Sequence, residues 1–351
     1  MSKNVDLYVD PVDNPLIVDE ETGKCGMWTM KDLGRHWQTE EGGRIYLASQ
    51  DVLGQSSHDI VGSRARKMID VIVNDFGYVP VRPDGSPSDV LDIGCGTGDM
   101  SIRMAMLGGN VDAIDPSEVQ LNVQAANMRD KDLLSRIESE LNEDAGLADV
   151  KVSKENLEER IRLFKGKGEL FDTDKKYDAV IMKFAEQWTD CRLLWKKLAE
   201  MVKPGGQVFL MTTLPAEGGR PNLFLSGWNR YVEEQMQQGK KYKFGSPKNV
   251  NVITHLPSMR TAVEKAGFDL SGSHSYEELT KDTPEAYIAF LTGIIKDDVL
   301  RFLEDVEGVK PEIEEVIERI RGKMYEVAEL NQEPPDYATY EHIGVLSFTK
   351  R

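Results

Sequence analysis

Residues 89–115, DVLDIGCGTGDMSIRMAMLGGNVDAID, gather the residue types that could hold a nucleoside. The apolar run at 90–93 has the character of a buried strand and leads into the glycine turn Gly94-Cys95-Gly96-Thr97-Gly98. A helical segment carrying Met100, Met104 and Met106 follows, and a second apolar run at 111–114 ends on Asp115. Glycine tolerates a sharp turn and lets the main chain approach a ligand, while the start of a helix presents unpaired N–H groups to an anionic group. A carboxylate at the tip of the second strand sits where it can accept both hydroxyls of a ribose.

Spacing narrows the choice of nucleoside. A dinucleotide fingerprint reads GxGxxG, whereas this turn reads GxGxG and has an acid, Asp92, two residues before its first glycine. Pyrophosphate is therefore not the expected ligand. The order strand, turn, helix, strand, acid resembles the cofactor loop of class I S-adenosylmethionine (SAM) dependent methyltransferases, whose pattern is L-D-[IVL]-G-[CA]-G-T-G. Farther along, YDAVIM at 177–182, a helix and VKPGG at 202–206 follow in that family's order, and AGF at 266–268 precedes another strand. Several motifs in one order are specific where a single one is not.

The resemblance covers about residues 90–212 and implies a site for SAM, with S-adenosylhomocysteine as product. Its residues would be Asp92, Gly94, Cys95, Gly96, Asp115, Pro116, Lys167, Gly168 and Lys183, the turn bordering the methionine end and Asp115 holding the ribose. One position departs from the family. An acid in a G-D-[AG] pattern often accepts the adenine amino group there, but this chain has Gly166-Lys167-Gly168. Either Glu169 substitutes or backbone groups read the adenine.

Methyl transfer from a sulfonium is an in-line displacement in which positioning and exclusion of water supply most of the effect. A base is needed only if the accepting atom must lose a proton. Ligands of open α/β sheets bind outside the carboxyl ends of the strands, which points to 94–99, Asp115, 166–169, 183–188, 213–219 and 271–276. Glu186, just past the YDAVIM strand, is the first candidate for a base or substrate-orienting carboxylate. The equal alternative is an acid favoured at a helix start. His255 and His36 are further candidates because imidazole titrates near neutrality, although a lone histidine is more often structural. Trp37, Tyr46, Gln187, Trp188, Trp228 and Tyr231 are assigned to the acceptor.

A chain of 351 residues can bury a sizeable core, and its net charge of −17 opposes broad contact with nucleic-acid backbones or anionic membrane surfaces. Cys25, Cys95 and Cys191 are odd in number and far apart, so neither a disulfide framework nor a metal site is expected. The amino terminus lacks the apolar core of a signal peptide, and no run is long enough to span a bilayer. Cytoplasmic residence and a small-molecule partner, without nucleic acid or membrane, are the expectations.

The resemblance implies an α/β fold: a Rossmann-like, doubly wound sheet of the seven-stranded methyltransferase type with helical cap insertions. Residues 1–26 read as a leader arm and 27–80 as a helical region, whose segment 63–76 is spaced to pack on the sheet edge. The cofactor core spans 81–213. Within it, a helix opens at Pro116 and Ser117, the charge-rich 129–159 reads as a solvated helical excursion, and a helix at 191–202 stops at Lys203-Pro204-Gly205-Gly206. Residues 214–256 read as a cap, 257–275 as a core helix and strand, 276–336 as an insertion with helices near 284–306 and 311–330, and 337–351 as the final strand. The insertion forms either a cap or a homodimer contact. The expected activity is methylation of a small molecule; a protein methyltransferase and a catalytically silent SAM-binding regulator are the alternatives.

Overall fold

The computed structural model describes residues 18–19, 24–25, 57–148, 150–186, 189, 191–214, 230, 234, 262–281, 313–331 and 339–351. Strands β1 (Val18–Asp19) and β2 (Lys24–Cys25) pair antiparallel within the expected leader arm. Seven further strands form one sheet: β3 (Asp89–Ile93), β4 (Asn110–Asp115), β5 (Ile161–Lys165), β6 (Tyr177–Lys183), β7 (Val202–Thr213), β8 (Phe268–Lys281) and β9 (Thr339–Lys350). Their order is β5-β4-β3-β6-β7-β9-β8, with β9 antiparallel to both of its neighbours. This is the expected α/β, doubly wound sheet. Strand β3 pairs with β4 on one side and β6 on the other, so the chain reverses its direction of travel across the sheet there. Such a switch point opens a crevice at the carboxyl ends of the strands, and the glycine turn leaves β3 into it.

Both faces of the parallel strands are covered, which explains their nearly continuous apolar runs. Val90, Val111, Ala113, Ala179, Ile181, Phe209 and Met211 point to one core, while Leu91, Ile93, Ile114, Val180, Met182, Val208 and Leu210 point to the other. The first core is closed by helices α1 (Ser57–Asp70), α2 (Asp99–Met106), α3 (Glu118–Asn127), α4 (Lys131–Asn142) and the short α5 (Leu157–Arg160). The second is closed chiefly by α6 (Cys191–Met201). Helix α7 (Ile313–Asn331) corresponds to the second expected helix of the insertion; the first lies outside the described residues.

Several expectations are corrected. Helix α1 continues as a π-helical turn, Val71–Asp75, and packs on a face of the sheet, where Phe76 stacks on Phe209 at 6.2 Å between centroids. Its apolar stripe is a core stripe, and the segment also lies against β8 at the sheet edge, through Arg64 to Glu278, Asp75 to His274 and Phe76 to Gly272. The charge-rich segment is not simply solvated either: Leu133, Leu134, Ile137 and Leu141, at helical spacing on α4, are buried in the same core. Pro116 lies before the helix, and the Ser117 hydroxyl caps α3 by accepting the Gln120 N–H at 3.4 Å. Strand β8 runs to Lys281, so residues 271–276 are inside a strand and not beyond its carboxyl end.

An ion-pair network stitches the amino ends of the strands, opposite the crevice. Arg82 reaches Asp89 and Asp178 at 2.7 Å each, Lys203 reaches Asp178 at 2.9 Å, and Arg162 makes two bonds of 2.7 Å to Asp112. On the second core, the fully buried Trp195 of α6 sets its ring edge-on to Phe268 at 5.4 Å and Phe348 at 5.1 Å. It thereby ties α6 to β8 and β9. Trp195→Ala should lower stability by about 3 to 5 kcal/mol, the scale of emptying a buried aromatic site. Denaturant unfolding followed by circular dichroism measures this, and a loss below about 1 kcal/mol would show that the contact between α6 and the last strands is dispensable.

Candidate active site at the switch point

The turn after β3 is fastened to the end of β4. Gly94 and Cys95 donate their N–H groups to the Ile114 carbonyl at 2.8 and 3.1 Å, and Gly96 donates its N–H to Oδ2 of Asp115 at 3.0 Å. The other oxygen of Asp115 accepts the Ser117 N–H at 2.8 Å. Gly94 and Gly96 have φ of +67° and +55°, a region that strains other residues. Close packing reinforces this: a Cβ on Gly94 would lie 2.4 Å from Cβ of Ala185, and one on Gly96 would lie 2.9 Å from Oε1 of Gln120. The space a side chain would need is filled by the protein itself. The protein's own packing on the turn is therefore a sufficient reason for glycine at both positions.

The same bonds bear on the expected contact with an anion. The N–H groups of Gly94, Cys95 and Gly96 are used within the fold, and the first turn of α2 already holds the buried acid Asp99, which accepts from the Thr97 hydroxyl at 3.3 Å. The first three amides of the turn are therefore not free for an anion.

Other predicted residues gather around it. Asp92 is 1% exposed and accepts the Ser101 hydroxyl at 2.5 Å. Gly168 packs so closely on β3 that a Cβ there would lie 2.4 Å from Cγ2 of Ile93, which brings Lys167 and the short turn Gly168–Leu170 beside the crevice. Phe184, at φ +54°, donates its N–H to the Met211 carbonyl at 2.9 Å and starts the segment that carries Ala185 onto Gly94. Glu186 is 1% exposed, and its carbonyl accepts both the N–H and the hydroxyl of Thr189, at 3.0 and 2.7 Å. Cys95 is buried, and burial pushes its thiol well above the usual range, so it is a packed side chain and not a nucleophile. His36, Trp37, Tyr46, Gln187, Trp188, Trp228, Tyr231 and His255 lie outside the described residues, as do residues 215–229, 231–233 and 235–256 of the expected cap.

Three contributors were not anticipated. Ser101 bonds Asp92, Gln120 backs Gly96, and Arg64 of α1 lies over the Phe184 ring at 4.9 Å while reaching Glu278 of β8 at 2.6 Å. The pairing of Asp99 with Arg103, four apart on α2, was readable as a helical charge pair. The links through Arg64 cross the fold and left no local signal.

A methyltransferase-domain family model matches residues 63–271, and the chain belongs to that family. It is thus a SAM-dependent methyltransferase. Similar solved structures include a protein of Bacillus halodurans assigned as a methyltransferase, with 17% identity, TM-score 0.46, and coverage of 82% of this chain and 99% of that one. A Galdieria sulphuraria protein assigned as a sarcosine dimethylglycine methyltransferase has 16% identity, TM-score 0.45, and coverage of 88% and 98%. Phosphoethanolamine N-methyltransferase 2 of Haemonchus contortus, in complex with phosphomonomethylethanolamine and S-adenosylhomocysteine, has 15% identity, TM-score 0.43, and coverage of 92% and 60%. No curated protein sequence matches the chain.

Burial dominates the charges of the site. It pushes the carboxyl groups of Asp92 and Asp115 up to about 6 each, against the hydrogen bonds from Ser101 and from the Ser117 and Gly96 amides. A raised carboxyl pKa means that the folded chain binds protons more tightly than the unfolded one between pH 3.8 and about 6. Stability associated with Asp92 is then full at the acid end of that window and is lost as pH rises through it. Asp92→Asn, which cannot ionise, should gain stability relative to the parent as pH rises across the window. Unfolding free energies at several pH values measure the difference, and a flat or falling difference would place the ionisation of Asp92 elsewhere.

Proposed function

We propose that this methyltransferase binds SAM at the switch point and passes its methyl group to a small-molecule acceptor by in-line displacement. The observation that carries the reading is the internal use of the turn's amides together with the buried carboxylate at the tip of β4. A dinucleotide needs free amides for its pyrophosphate, whereas SAM has a ribose and a sulfonium but no phosphate. Each oxygen of Asp115 accepts one N–H and retains a lone pair for a ribose hydroxyl. Asp92, Asp115 and Glu186 are buried acids at the strand tips, groups able to face a cation. The donor group fits the residues present.

Bound SAM supplies an activated methyl on a sulfonium. The residues of the chain then have three tasks. The turn borders the methionine end and Asp115 holds the ribose, so that the methyl faces the acceptor. The packed strand tips limit the water around it. Glu186, in this reading, takes the proton that the acceptor loses, or orients the acceptor if none is lost. A small acceptor is supported by the net charge of −17, which opposes nucleic acid and anionic membranes.

Incubation with methyl-labelled SAM and separated metabolite and protein fractions tests the reading; label only in protein would overturn the small-molecule assignment. Asp115→Ala should weaken SAM binding by about 1 to 3 kcal/mol, the scale of hydrogen bonds lost from a charged acceptor. Calorimetry on the folded variant decides this, and unchanged affinity would remove the ribose assignment. Glu186→Gln should lower kcat by roughly a hundredfold while leaving SAM affinity within about threefold. Normal turnover on the identified acceptor would mean that Glu186 moves no proton.

A further inference from the structure

Lys183 closes β6, paired with Met211 of β7. Alternation along the strand puts its side chain on the same face as Ile181, whose partner across the ladder is Asp92. The ammonium therefore belongs to the face that holds Asp92, the start of α2 and Arg64 of α1. The charges that act on it are Asp99, Arg64, Asp92 and Arg103.

Each of those four has a closer partner. Asp92 accepts from Ser101, Asp99 accepts from Thr97, Arg64 reaches Glu278 at 2.6 Å, and Arg103 reaches Glu140 at 2.8 Å. The Lys183 ammonium makes neither a hydrogen bond nor an ion pair among the described residues. It is half-buried all the same, and burial draws its pKa below the usual lysine value while Asp99 and Asp92 oppose the shift. Removing part of the hydration of an ammonium without replacing its hydrogen bonds is unfavourable. Two nearby carboxylates favour the charged form from a distance without satisfying its three donors. A ligand carboxylate at the strand tip would complete the set.

We propose that Lys183 is an anion-recognition residue of the site, donating to a carboxylate of the bound ligand. This rests on the SAM-site reading above. The carboxylate has two sources: the α-carboxylate at the methionine end of the cofactor, or an acid group on the acceptor.

Calorimetry separates them, using S-adenosylhomocysteine, its decarboxylated analogue and, on the S-adenosylhomocysteine-loaded protein, benzoate against benzamide. The parent protein is compared with Lys183→Met, Lys183→Gln and Lys183→Arg, with unfolding curves to establish that each variant is folded. For the cofactor source, the parent should prefer S-adenosylhomocysteine over the decarboxylated analogue by roughly ten- to a hundredfold, the scale of a charge-assisted hydrogen bond. That preference should vanish in Lys183→Met and Lys183→Gln and survive in Lys183→Arg. If it survives in all three while the preference for benzoate over benzamide is lost, the carboxylate is the acceptor's. Folded Met and Gln variants that keep every preference of the parent, or a parent that shows none, overturn the proposal. A parent that does not bind S-adenosylhomocysteine overturns the underlying reading of the site, which is a separate failure. A merely structural lysine would shift the unfolding curves and leave the ratios between paired ligands alone.

Discussion

The junction between the tip of β4 and the turn after β3 is the constraint on which the site depends. Three consecutive turn amides are anchored on two consecutive residues, Ile114 and Asp115. The anchorage fixes the left-handed conformations of Gly94 and Gly96, directs the chain into α2 and holds the Asp115 carboxylate beside the main chain. It also explains the near absence of free space around the glycines. Ala185 and Gln120 press on the turn from two sides, so its shape is determined by β4, by the segment after β6 and by α3 together. A ligand in this crevice meets a surface already built before it arrives, the condition under which binding energy is not consumed in ordering the site.

Electrostatics at the two ends of the sheet follow opposite rules. At the amino ends, acids and bases are in direct contact, and the partly exposed partners Arg82, Arg162 and Lys203 hold charges that water also stabilises. At the carboxyl ends, Asp92 and Asp115 are buried with neutral donors, and burial raises their pKa values to about 6. The first arrangement secures strand register. The second keeps ionisable groups near neutrality where a cationic ligand can bias them, which structural ion pairs do not need.

Legibility in the sequence divides along local and non-local lines. The strand, turn, helix, strand, acid order around 89–115 was legible because each part has a local cause, from apolar runs to glycine conformations and a terminal carboxylate. The parallel core was legible for the same reason. Misreadings arose where tertiary packing decides. The charges of 129–159 concealed the stripe of Leu133, Leu134, Ile137 and Leu141, since a charge run gives no hint of the sheet beneath it. The length of β8 was underestimated because Ser271, Ser273 and Ser275 lack strand propensity, and pairing with β9 supplies what they lack. That Ala185 and Gln120 pack on the turn's glycines was not legible, because both are distant in sequence.

The position of β9 has a bearing on how the molecule is made. Of the described strands it is the last in sequence, yet it lies between β7 and β8 and pairs with both. During synthesis, β7 and β8 emerge first and must remain apart, each with an open hydrogen-bonding edge, until the final strand inserts. Direct pairing of β7 with β8 would fill that gap and shut the last strand out, a kinetic trap within the chain itself. Open edges of this kind also invite pairing between nascent chains. The charged and hydroxyl-bearing residues along β8, among them Asp269, Ser273, Ser275 and Glu277, all exposed, blunt the edge during that interval. The insertion of β9 between two earlier strands thus leaves a vulnerable window during synthesis, and the polar composition of one strand answers it.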